Sequence, residues 1–591
     1  MANKRNKFDI DEELETPFDI RHLKRLLGYT AKYKRKIVAA LILSVLGSVI
    51  ALISPMIIQN AVDNYMDSRD DIPMLIASGA GVLMCIAVSA LLTRKRSMMM
   101  TEAGQDIIYD IRRDLFEHMQ KLSFDYYDSR PHGKILNRVI NYINSVSDLM
   151  TNGLVNFILE IFNLIFITIF MFILCWQLAL VTMIGLPIFL GIMLVLKNFH
   201  RKAIRRFSNK SSNLAAYHHE NIVGAKITQM FVREHENEDI QDRLSEDFSS
   251  SWVKAVRWVN IIYPSAEVIA MFAQCGIYAV GLLMMNGMFS LGTILAMTDY
   301  SSRFWMPLMN ISNVMTTLLN ATAYLERIFE LMDEPATVDD IEDAAEMPEI
   351  RGDVRFENVT FAYEDGINIL ENLSFEVKSG QSIALVGPTG AGKTTIVSLI
   401  SRFYNLNSGA IKIDGADISA VTLKSLRSQM GIMLQDSFIF SGTILDNIRY
   451  GRLDATLDEC RAACQIVGID EFIMNLKDGY DTAVNERGGG LSQGQKQLIA
   501  FARTIVSDPK ILVLDEATSS VDAKTERNLQ NGINHLLKGR TSFIIAHRLS
   551  TIRSCDSIMY VSDKGISESG THDELMERKG DYYRLWTTNN I

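Results

Sequence analysis

A glycine-rich segment in the second half of the chain carries the clearest chemistry in this sequence. Residues 382–395 read SIALVGPTGAGKTT, in which a short apolar run leads into the pattern G-x-x-x-x-G-K-T and then into a helical pattern. The glycines let backbone N–H groups close around a polyphosphate, and the following helix presents its positive N-terminus to the same anion. The pattern therefore predicts a phosphate-binding loop between a buried strand and a helix.

Individual side chains of this segment have separate expected roles. Lys393 is placed to reach the β- and γ-phosphates of a nucleotide, and the Thr394 hydroxyl to bind Mg²⁺. Tyr363 lies upstream, where an aromatic ring could stack on a base, although a lone Tyr at a strand end is more often structural. The alternative interpretation is a glycine-rich turn that binds nothing, and two later stretches oppose it.

Those two stretches place acid–base side chains directly after predicted strands. The run ILVLD ends at Asp515 and is followed at once by Glu516, and a further strand at 541–546 ends at His547. An Asp in this position can associate with Mg²⁺, and the neighbouring Glu can polarise a water molecule beside the γ-phosphate. Together with the glycine-rich segment, they indicate hydrolysis of a nucleoside triphosphate.

Composition excludes some other classes of function. A length of 591 residues predicts several domains. The net charge of −10, without a basic stripe, gives no indication of a nucleic-acid partner. The six cysteines show neither metal-ligand nor disulfide spacing, and no signal peptide is expected at the N-terminus.

The apolar residues concentrate before about residue 332, in runs too long for soluble core helices. The run at 37–58 contains 22 residues without a charge. As a helix it would be about 33 Å long, which matches a hydrocarbon core of roughly 30 Å. An amphipathic segment before it is expected to lie at the membrane surface. The predicted spans, with membrane lipid around them, are residues 37–58, 73–93, 149–175, 178–196, 259–285 and 291–308.

Lys and Arg residues set the predicted orientation. They cluster before the first span and after the second and fourth spans, so those ends and both termini are expected in the cytoplasm of a multi-pass cell-membrane protein. The two long inner connections read as helical extensions of the spans, with breaks at 124–133 and about 215–229. A short transverse helix could lie at each break. Such a segment is either only a turn in a helical hairpin or a helix that docks on the nucleotide-binding domain.

The fold class predicted is a multidomain membrane protein. It has an all-α six-helix transmembrane domain with long cytoplasmic extensions, followed by an α/β P-loop ATPase domain with a helical subdomain. The predicted boundaries are a tail at 1–17, the transmembrane domain at 18–332, an acidic linker at 333–349 and the nucleotide-binding domain at 350–591.

Taken together, the motifs resemble those of the ATP-binding cassette (ABC) transporters, specifically half-size exporters with six spans and one nucleotide-binding domain. The resemblance covers about residues 18–590. The matching motifs are GPTGAGKTT (Walker A), MLQDSFIFSGT with Gln435 (Q-loop), NERGGG (X-loop), LSQGQ at 491–495 (signature), ILVLDE (Walker B), SSVD at 519–522 (D-loop) and AHRLST (H-switch).

The resemblance implies a dimer that sandwiches two ATP molecules with Mg²⁺, each between one chain's Walker motifs and the other chain's signature. Carried over by position, it assigns the adenine to Tyr363, and the phosphates to Gly387, Thr389, Gly390, Ala391, Gly392, Lys393, Thr394 and Thr395. It assigns metal binding to Thr394, Gln435 and Asp515. It assigns catalysis to Glu516, His547 and Gln435. Contact with the nucleotide bound by the partner is assigned to Ser492, Gly494 and Gln495.

One residue departs from the family pattern. The usual signature is LSGGQ, and this chain has Gln493 at the third position, where a side chain would crowd the approach to the γ-phosphate. The resemblance therefore favours a heterodimer, in which a second half-transporter supplies LSGGQ and has a degenerate catalytic site. A symmetric homodimer that tolerates Gln493 is the alternative.

Other functions remain open at this point. A membrane-anchored ABC regulator or channel gate would predict a degraded catalytic carboxylate, and Glu516 opposes it. An importer half would have shorter inner loops and separate chains for spans and cassette. Within exporters, a small or amphipathic drug, a lipid or a peptide are all candidate substrates.

Four charged residues fall within the predicted spans, where they are costly and mark a cavity or pathway. Asp299 and Arg303 are four residues apart on one helix, so they are expected to pair, either for gating or only for packing. Glu160 and Glu267 are expected to face a central substrate cavity and to favour cationic or amphipathic substrates.

Overall fold

The computed structural model describes residues 20–66, 71–130, 132–148, 154–283, 289–364, 366–433, 437–485, 488–515, 523–545 and 552–589. Contacts divide these residues into two units. The first comprises the residues up to Met119 together with Gly133–Asp333, and the second comprises Gln120–His132 together with the chain from Glu334 onward.

Helices form all the regular structure before residue 333 among the described residues. They are α1 Ile20–Thr30, α2 Lys34–Tyr65, α3 Ile72–Met119, α4 Phe124–Asp128, α5 His132–Asn137, α6 Ile143–Asp148, α7 Leu154–Met183, α8 Gly185–Val223, α9 Ala225–Met230, α10 Glu234–Val259, α11 Ile262–Leu283 and α12 Leu291–Met332, with a 3₁₀ turn at Ala31–Tyr33 and a π-helical turn at Arg138–Tyr142. Helix α4 belongs to the second unit.

Within the described part of the chain, four helical stretches are long and apolar enough to cross a membrane: Lys24–Tyr65, Ile72–Met119, Asn156–Leu196 and Pro264–Leu283. The third stretch contains an extended residue, Cys175, with φ −161° and ψ 102°. This interruption lies one residue before the turn predicted between the third and fourth spans. The start of α12, which is the predicted sixth span, is not among these four helical stretches. The count of six spans therefore stays a prediction.

The second inner break is confirmed within the predicted segment at about 215–229, but it begins later than that segment does. Helix α8 continues to Val223, and the chain turns at Gly224 before α9. The residues before this glycine include no proline or glycine that would end a helix earlier. The first break is confirmed, because α3 ends at Met119 and α4 lies within residues 124–133.

Helix α12 is the centre of the first unit's packing. Tyr300, Phe304 and Trp305 are almost fully buried there, and the Trp305 ring meets Phe189 of α8 edge to face, with centroids 6.0 Å apart. Aromatic side chains of this size contribute much of the packing energy of a core. Between Thr293 and Asn310, the side chains that α12 leaves exposed lie along one stripe.

The Arg303 side chain links α12 to α2 by a hydrogen bond. Pro55 within α2 has no N–H, so the carbonyl of Ala51 loses its usual intrahelical donor. The Arg303 Nη1 atom donates to that carbonyl at 3.2 Å, and its Nε atom pairs with Asp299 Oδ2 at 3.0 Å. The predicted pairing of Asp299 with Arg303 is confirmed, and the contact with Ala51 gives Arg303 a packing role.

The second unit is an α/β domain. Its strands are β1 Val354–Ala362, β2 Asn368–Val377, β3 Ser382–Val386, β4 Ser408–Ile413, β5 Ala416–Asp417, β6 Met430–Met433, β7 Gly442–Thr443, β8 Ala483–Val484, β9 Ile511–Asp515, β10 Thr541–Ile545, β11 Ser557–Ser562 and β12 Gly565–Gly570. Its helices after α4 are α13 Lys393–Ile400, α14 Leu423–Arg427, α15 Ile444–Arg449, α16 Leu457–Ile466, α17 Asp470–Met474, α18 Gln493–Ser507, α19 Ala523–Leu537, α20 His572–Arg578 and α21 Asp581–Asn589, with 3₁₀ turns at Ile418–Ala420 and Gly479–Asp481.

Two larger sheets organise this unit. The main sheet has the order β12-β11-β3-β10-β9-β6, and β11, β3, β10, β9 and β6 run parallel to one another. The second sheet, β2-β1-β4-β5, is antiparallel. Helices α15 to α18 lie between β6 and β9 in the chain, as expected of a helical subdomain. The central strands of the main sheet are buried on both faces, which explains their uninterrupted apolar sequences.

Candidate nucleotide-binding site

The main sheet brings to one edge the ends of the four strands that precede the functional segments in the sequence. Strands β3, β10, β9 and β6 are parallel neighbours, so their carboxyl ends coincide. The glycine-rich loop follows β3, and Asp515 ends β9. Gln435, Glu516 and His547 lie outside the described residues, but in the sequence they come just after β6, β9 and β10. Ligands of open α/β sheets bind at such carboxyl ends.

Two glycines of the loop are required by its geometry. Gly387 has a φ of 141°, and a Cβ atom there would lie 2.2 Å from the backbone oxygen of Val561. Gly392 has a φ of 102° and forms the N-cap of α13. A side chain at either position would be strained, because L-residues rarely adopt these angles. The predicted strand, loop and helix are confirmed by β3 and α13.

Lys393 is the charged centre of this loop. Its side chain is buried, and its Nζ atom donates to the carbonyl oxygens of Gly387 and Pro388, both at 2.8 Å. Burial lowers the pKa of the Lys393 ammonium below its ordinary value, and the negative charge of Asp515 opposes this shift. A desolvated cation held among backbone groups at a helix N-terminus suits a polyphosphate.

The loop residues therefore fit ATP with Mg²⁺. Lys393 and the loop backbone around Gly390 would hold the phosphates. The exposed Thr394 hydroxyl and Asp515 would hold the metal. When bound, Mg²⁺ supplies positive charge that neutralises the phosphate oxygens. Thr389 and Gly390 are exposed, so the loop is open to a ligand on its outer side.

Tyr363 lies beside the helix that follows the loop. Its hydroxyl is 3.2 Å from the Thr395 Oγ1 atom, and its ring meets the rings of Phe361 and Tyr404 edge to face. The ring is partly exposed, at 44% of its full surface. The structure thus brings Tyr363 next to the loop, and stacking of this ring on adenine stays a prediction.

The signature segment forms the N-terminus of α18. Ser492 is its N-cap, with Oγ accepting from the Gln495 backbone N–H at 3.3 Å and its own N–H donating to Gln495 Oε1 at 2.8 Å. Gly494 is buried, whereas Gln493, the first residue of the helix, is exposed. The capping box leaves the positive end of α18 facing outward with the Gln493 side chain beside it.

Sequence reasoning missed how α4 is held. The Phe124 ring packs against Phe403, with centroids 4.4 Å apart, and the Tyr404 hydroxyl donates to the Asp128 carboxylate. The Arg130 guanidinium pairs with Glu334 at 3.2 Å. Docking of the first transverse helix on the nucleotide-binding domain is confirmed by these contacts within the second unit. No local pattern pairs residues so far apart in the chain.

The contact between Tyr404 and Asp128 gives a testable prediction. The Tyr404 pKa is raised by burial and by the charge of Asp128, so the hydroxyl stays protonated and donates. Helix α4 follows α3, a predicted spanning helix, along the chain. Tyr404→Phe should therefore weaken stimulation of ATPase activity by substrate several-fold while leaving ATP affinity unchanged. Tyr560→Phe, in β11, is the matched control, and unchanged stimulation in Tyr404→Phe would contradict the role.

Of the four charged residues predicted to line a substrate cavity, Asp299 and Arg303 form the pair described above. Glu160 is half-buried, and its Oε1 atom accepts a hydrogen bond from the Asn310 amide at 2.8 Å. Glu267 is exposed on α11. Among the described residues, no contact joins Glu160 to Glu267, so their shared cavity stays a prediction.

The site and the long apolar helices define a membrane-spanning P-loop ATPase. The profile of the family described as ABC transporter transmembrane region matches residues 37–308, and the profile described as ABC transporter matches residues 370–519. The chain belongs to the ABC transporters and is a half-transporter of the exporter type.

Relatives over nearly the whole length agree with this assignment. The chain is 40% identical over 585 residues to the ABC transporter ATP-binding protein YknV of Bacillus subtilis, covering 98% of this chain and 96% of that protein. It is 35% identical over 498 residues to a fatty acid ABC transporter ATP-binding/permease protein of Mycobacterium bovis, covering 84% of this chain and 79% of that protein.

A solved structure shows the same fold. A bacterial Atm1-family ABC exporter with ATP bound superposes with a TM-score of 0.80 at 28% identity, covering 95% of this chain and 99% of that chain. The fold is thus a helical transmembrane domain followed by an α/β nucleotide-binding domain, and the chain is an ATP hydrolase that uses ATP with Mg²⁺.

Proposed function

We propose that this chain is one half of a heterodimeric exporter. It would move a small or amphipathic molecule out across the cytoplasmic membrane by alternating access, with its spans in lipid and its termini and nucleotide-binding domain in the cytoplasm. The observation that carries the proposal is Gln493, whose exposed side chain stands at the outward-facing N-terminus of the signature helix α18. A partner nucleotide bound there would meet this side chain.

The chain's own hydrolytic machinery is otherwise complete in sequence. Lys393 would neutralise phosphate charge, and Asp515 would orient the metal. Glu516 would polarise the attacking water, and Gln435 and His547 would contact the metal-bound phosphates. A partner that offers LSGGQ over this site would allow rapid hydrolysis here, while LSQGQ would close over a slower or inactive site in the partner.

An exposed apolar tip on the first unit supports the need for a partner. The end of α8, helix α9 and the two residues after it carry large apolar side chains that are exposed to solvent, with Ile222 77% and Val232 80% exposed. The other members are Val223, Ile227, Met230 and Phe231. Contiguous exposed patches of this kind mark interaction sites. In the proposed dimer, this second transverse segment contacts a nucleotide-binding domain and transmits its motion to the spans.

The domain boundaries follow from the same proposal. Residues 18–332 would form the transmembrane domain, 333–349 the linker and 350–591 the nucleotide-binding domain, after a tail at 1–17. ATP binding would close the nucleotide-binding domains and hydrolysis would reopen them, so that the cavity alternates between the two sides of the membrane.

Expression of this chain alone and together with candidate half-transporters tests the heterodimer. We expect the purified chain alone to show weak ATPase activity, and robust substrate-stimulated activity only after co-expression. Gln493→Gly should raise the activity of the chain alone. In the heterodimer, the same change should leave hydrolysis at this chain's own site unaffected, because that site uses the partner's signature.

Lys424→Ala, on α14 away from the nucleotide site, is the control for purification and folding. Robust substrate-stimulated ATPase activity from the pure homodimer would contradict the proposal. A partner with an intact catalytic carboxylate and a complete H-switch of its own would also contradict the proposal.

A further inference from the structure

The exposed stripe of α12 carries three polar side chains although the helix starts within a predicted span. Its members follow at helical spacing and share one face: Leu295, Asp299, Ser302, Met306 and Asn310. The rest of α12 between Thr293 and Leu308 is mostly buried. A stripe with a carboxylate, a hydroxyl and an amide does not suit hydrocarbon, because even hydrogen-bonded polar and ionised groups lose hydration there and face the bundle interior or a water-filled cavity instead.

The neighbouring helix α11 exposes two different faces. One is apolar and suits lipid: Val268, Phe272, Cys275, Ala279 and Leu283. The other is mixed and carries Glu267, Met271, Gln274 and Tyr278 at helical spacing. The Gln274 Nε2 atom donates to Ser302 Oγ at 2.8 Å. This hydrogen bond joins the mixed face of α11 to the stripe of α12.

A third helix joins the same surface through Glu160. Its carboxylate accepts from Asn310 Nδ2 at 2.8 Å, which places α7 beside the other end of the α12 stripe. We call this surface, made by α7, α11 and α12, the acidic stripe. Its key members are Glu160, Glu267, Met271, Gln274, Ser302 and Met306. All of them lie in the first unit.

The acidic stripe carries uncompensated negative charge. The charge of Asp299 is balanced by Arg303, which is itself fixed on the Ala51 carbonyl. Among the residues that the structure describes, neither Glu160 nor Glu267 forms an ion pair with Lys or Arg, and the hydrogen-bond donor to Glu160 is the neutral amide of Asn310. Both glutamates lie within the predicted cytoplasmic halves of their spans. Two carboxylates at that depth would each cost about 2.5–3.5 kcal/mol in lipid.

We propose that the acidic stripe lines the substrate pathway and selects amphipathic organic cations. This inference rests on the proposed export function and names its substrate class. The two carboxylates supply charge complementarity for a cation entering from the cytoplasm. Met271, Met306 and Tyr278 supply adaptable apolar contacts, with Met306 62% exposed and available to a ligand. Anionic amphiphiles such as fatty acids meet repulsion on the same surface.

Two ions of the same shape and opposite charge test this selection. Tetraphenylphosphonium and tetraphenylborate are compared on the full transporter, this chain with its partner, in lipid nanodiscs. Binding is measured without nucleotide, by equilibrium dialysis of the labelled ions. We expect tetraphenylphosphonium to bind saturably and tetraphenylborate not to. The double variant Glu160→Gln/Glu267→Gln should weaken tetraphenylphosphonium binding about tenfold, as expected for two partly solvated charge contacts.

Matched variants keep the test specific. Glu246→Gln, an exposed carboxylate on α10, should leave binding unchanged, and Glu160→Asp/Glu267→Asp should restore most of it. ATP binding by each variant confirms that its nucleotide-binding unit is folded, and elution with the partner as one complex confirms that its first unit is folded. Equal affinity of the double variant and the wild type would overturn the proposal, as would preferential binding of tetraphenylborate. Failure of export would instead appear as tetraphenylphosphonium binding without ATP-dependent transport by the wild type.

Discussion

Replacing Glu516 with Gln should reduce ATP turnover by roughly 10²–10⁴-fold while ATP still binds. The amide keeps the shape of the carboxylate but cannot accept a proton from the attacking water. The loop and Lys393, which are expected to hold the phosphates, are unchanged by this substitution. ATP should therefore remain trapped between the closed nucleotide-binding domains.

Two measurements separate turnover from binding in this variant. Phosphate release should fall by the factor given above, and retention of labelled ATP after rapid gel filtration should rise. Glu471→Gln, an exposed carboxylate on α17, is the matched control and should behave as wild type. Hydrolysis by Glu516→Gln within a few-fold of the wild-type rate would show that another residue polarises the water.

Lys393→Ala should weaken ATP binding by about 100-fold or more, because removal of one partner of a desolvated charge pair costs on the order of 2–5 kcal/mol. In the structure the ammonium is buried and donates to Gly387 and Pro388. The truncation removes both these bonds and the positive charge facing the phosphates. Turnover then falls because little ATP is bound, in contrast to Glu516→Gln.

Binding of a fluorescent ATP analogue checks this distinction. Lys393→Met, which keeps the aliphatic length but not the charge, should bind as weakly as Lys393→Ala if charge is the cause. Lys424→Ala on α14 should bind normally. Near-normal affinity in Lys393→Met would assign the effect to packing in the loop instead.

The parts of the fold with local signals were predictable. Strand β3, the glycine-rich loop and α13 follow from one continuous pattern, in which an apolar run meets glycines and a helix. The pairing of Asp299 with Arg303 follows from their spacing of four residues on a helix. The turn near Cys175 was placed within one residue, because two apolar runs meet there.

Features that depend on distant residues could not be predicted in detail. The contact of Asp128 with Tyr404 joins residues from separate parts of the chain, and no pattern near either residue indicates the other. The break at Gly224 lies within the predicted segment 215–229, but its start was predicted too early, since helix-compatible residues continue up to the glycine. The bond from Arg303 to Ala51 requires a carbonyl freed by Pro55 in another helix, which becomes visible only once α2 and α12 pack together.

Uptake into inverted membrane vesicles is the most direct test of ATP-driven export. Vesicles containing this chain and its partner should accumulate an amphipathic substrate when ATP and Mg²⁺ are added outside, and vesicles with Glu516→Gln should not. A panel of cationic, anionic and neutral amphiphiles covers the substrate classes. Accumulation that is equal with and without ATP, or unaffected by Glu516→Gln, would contradict the assignment of this chain as the hydrolysing half of an exporter.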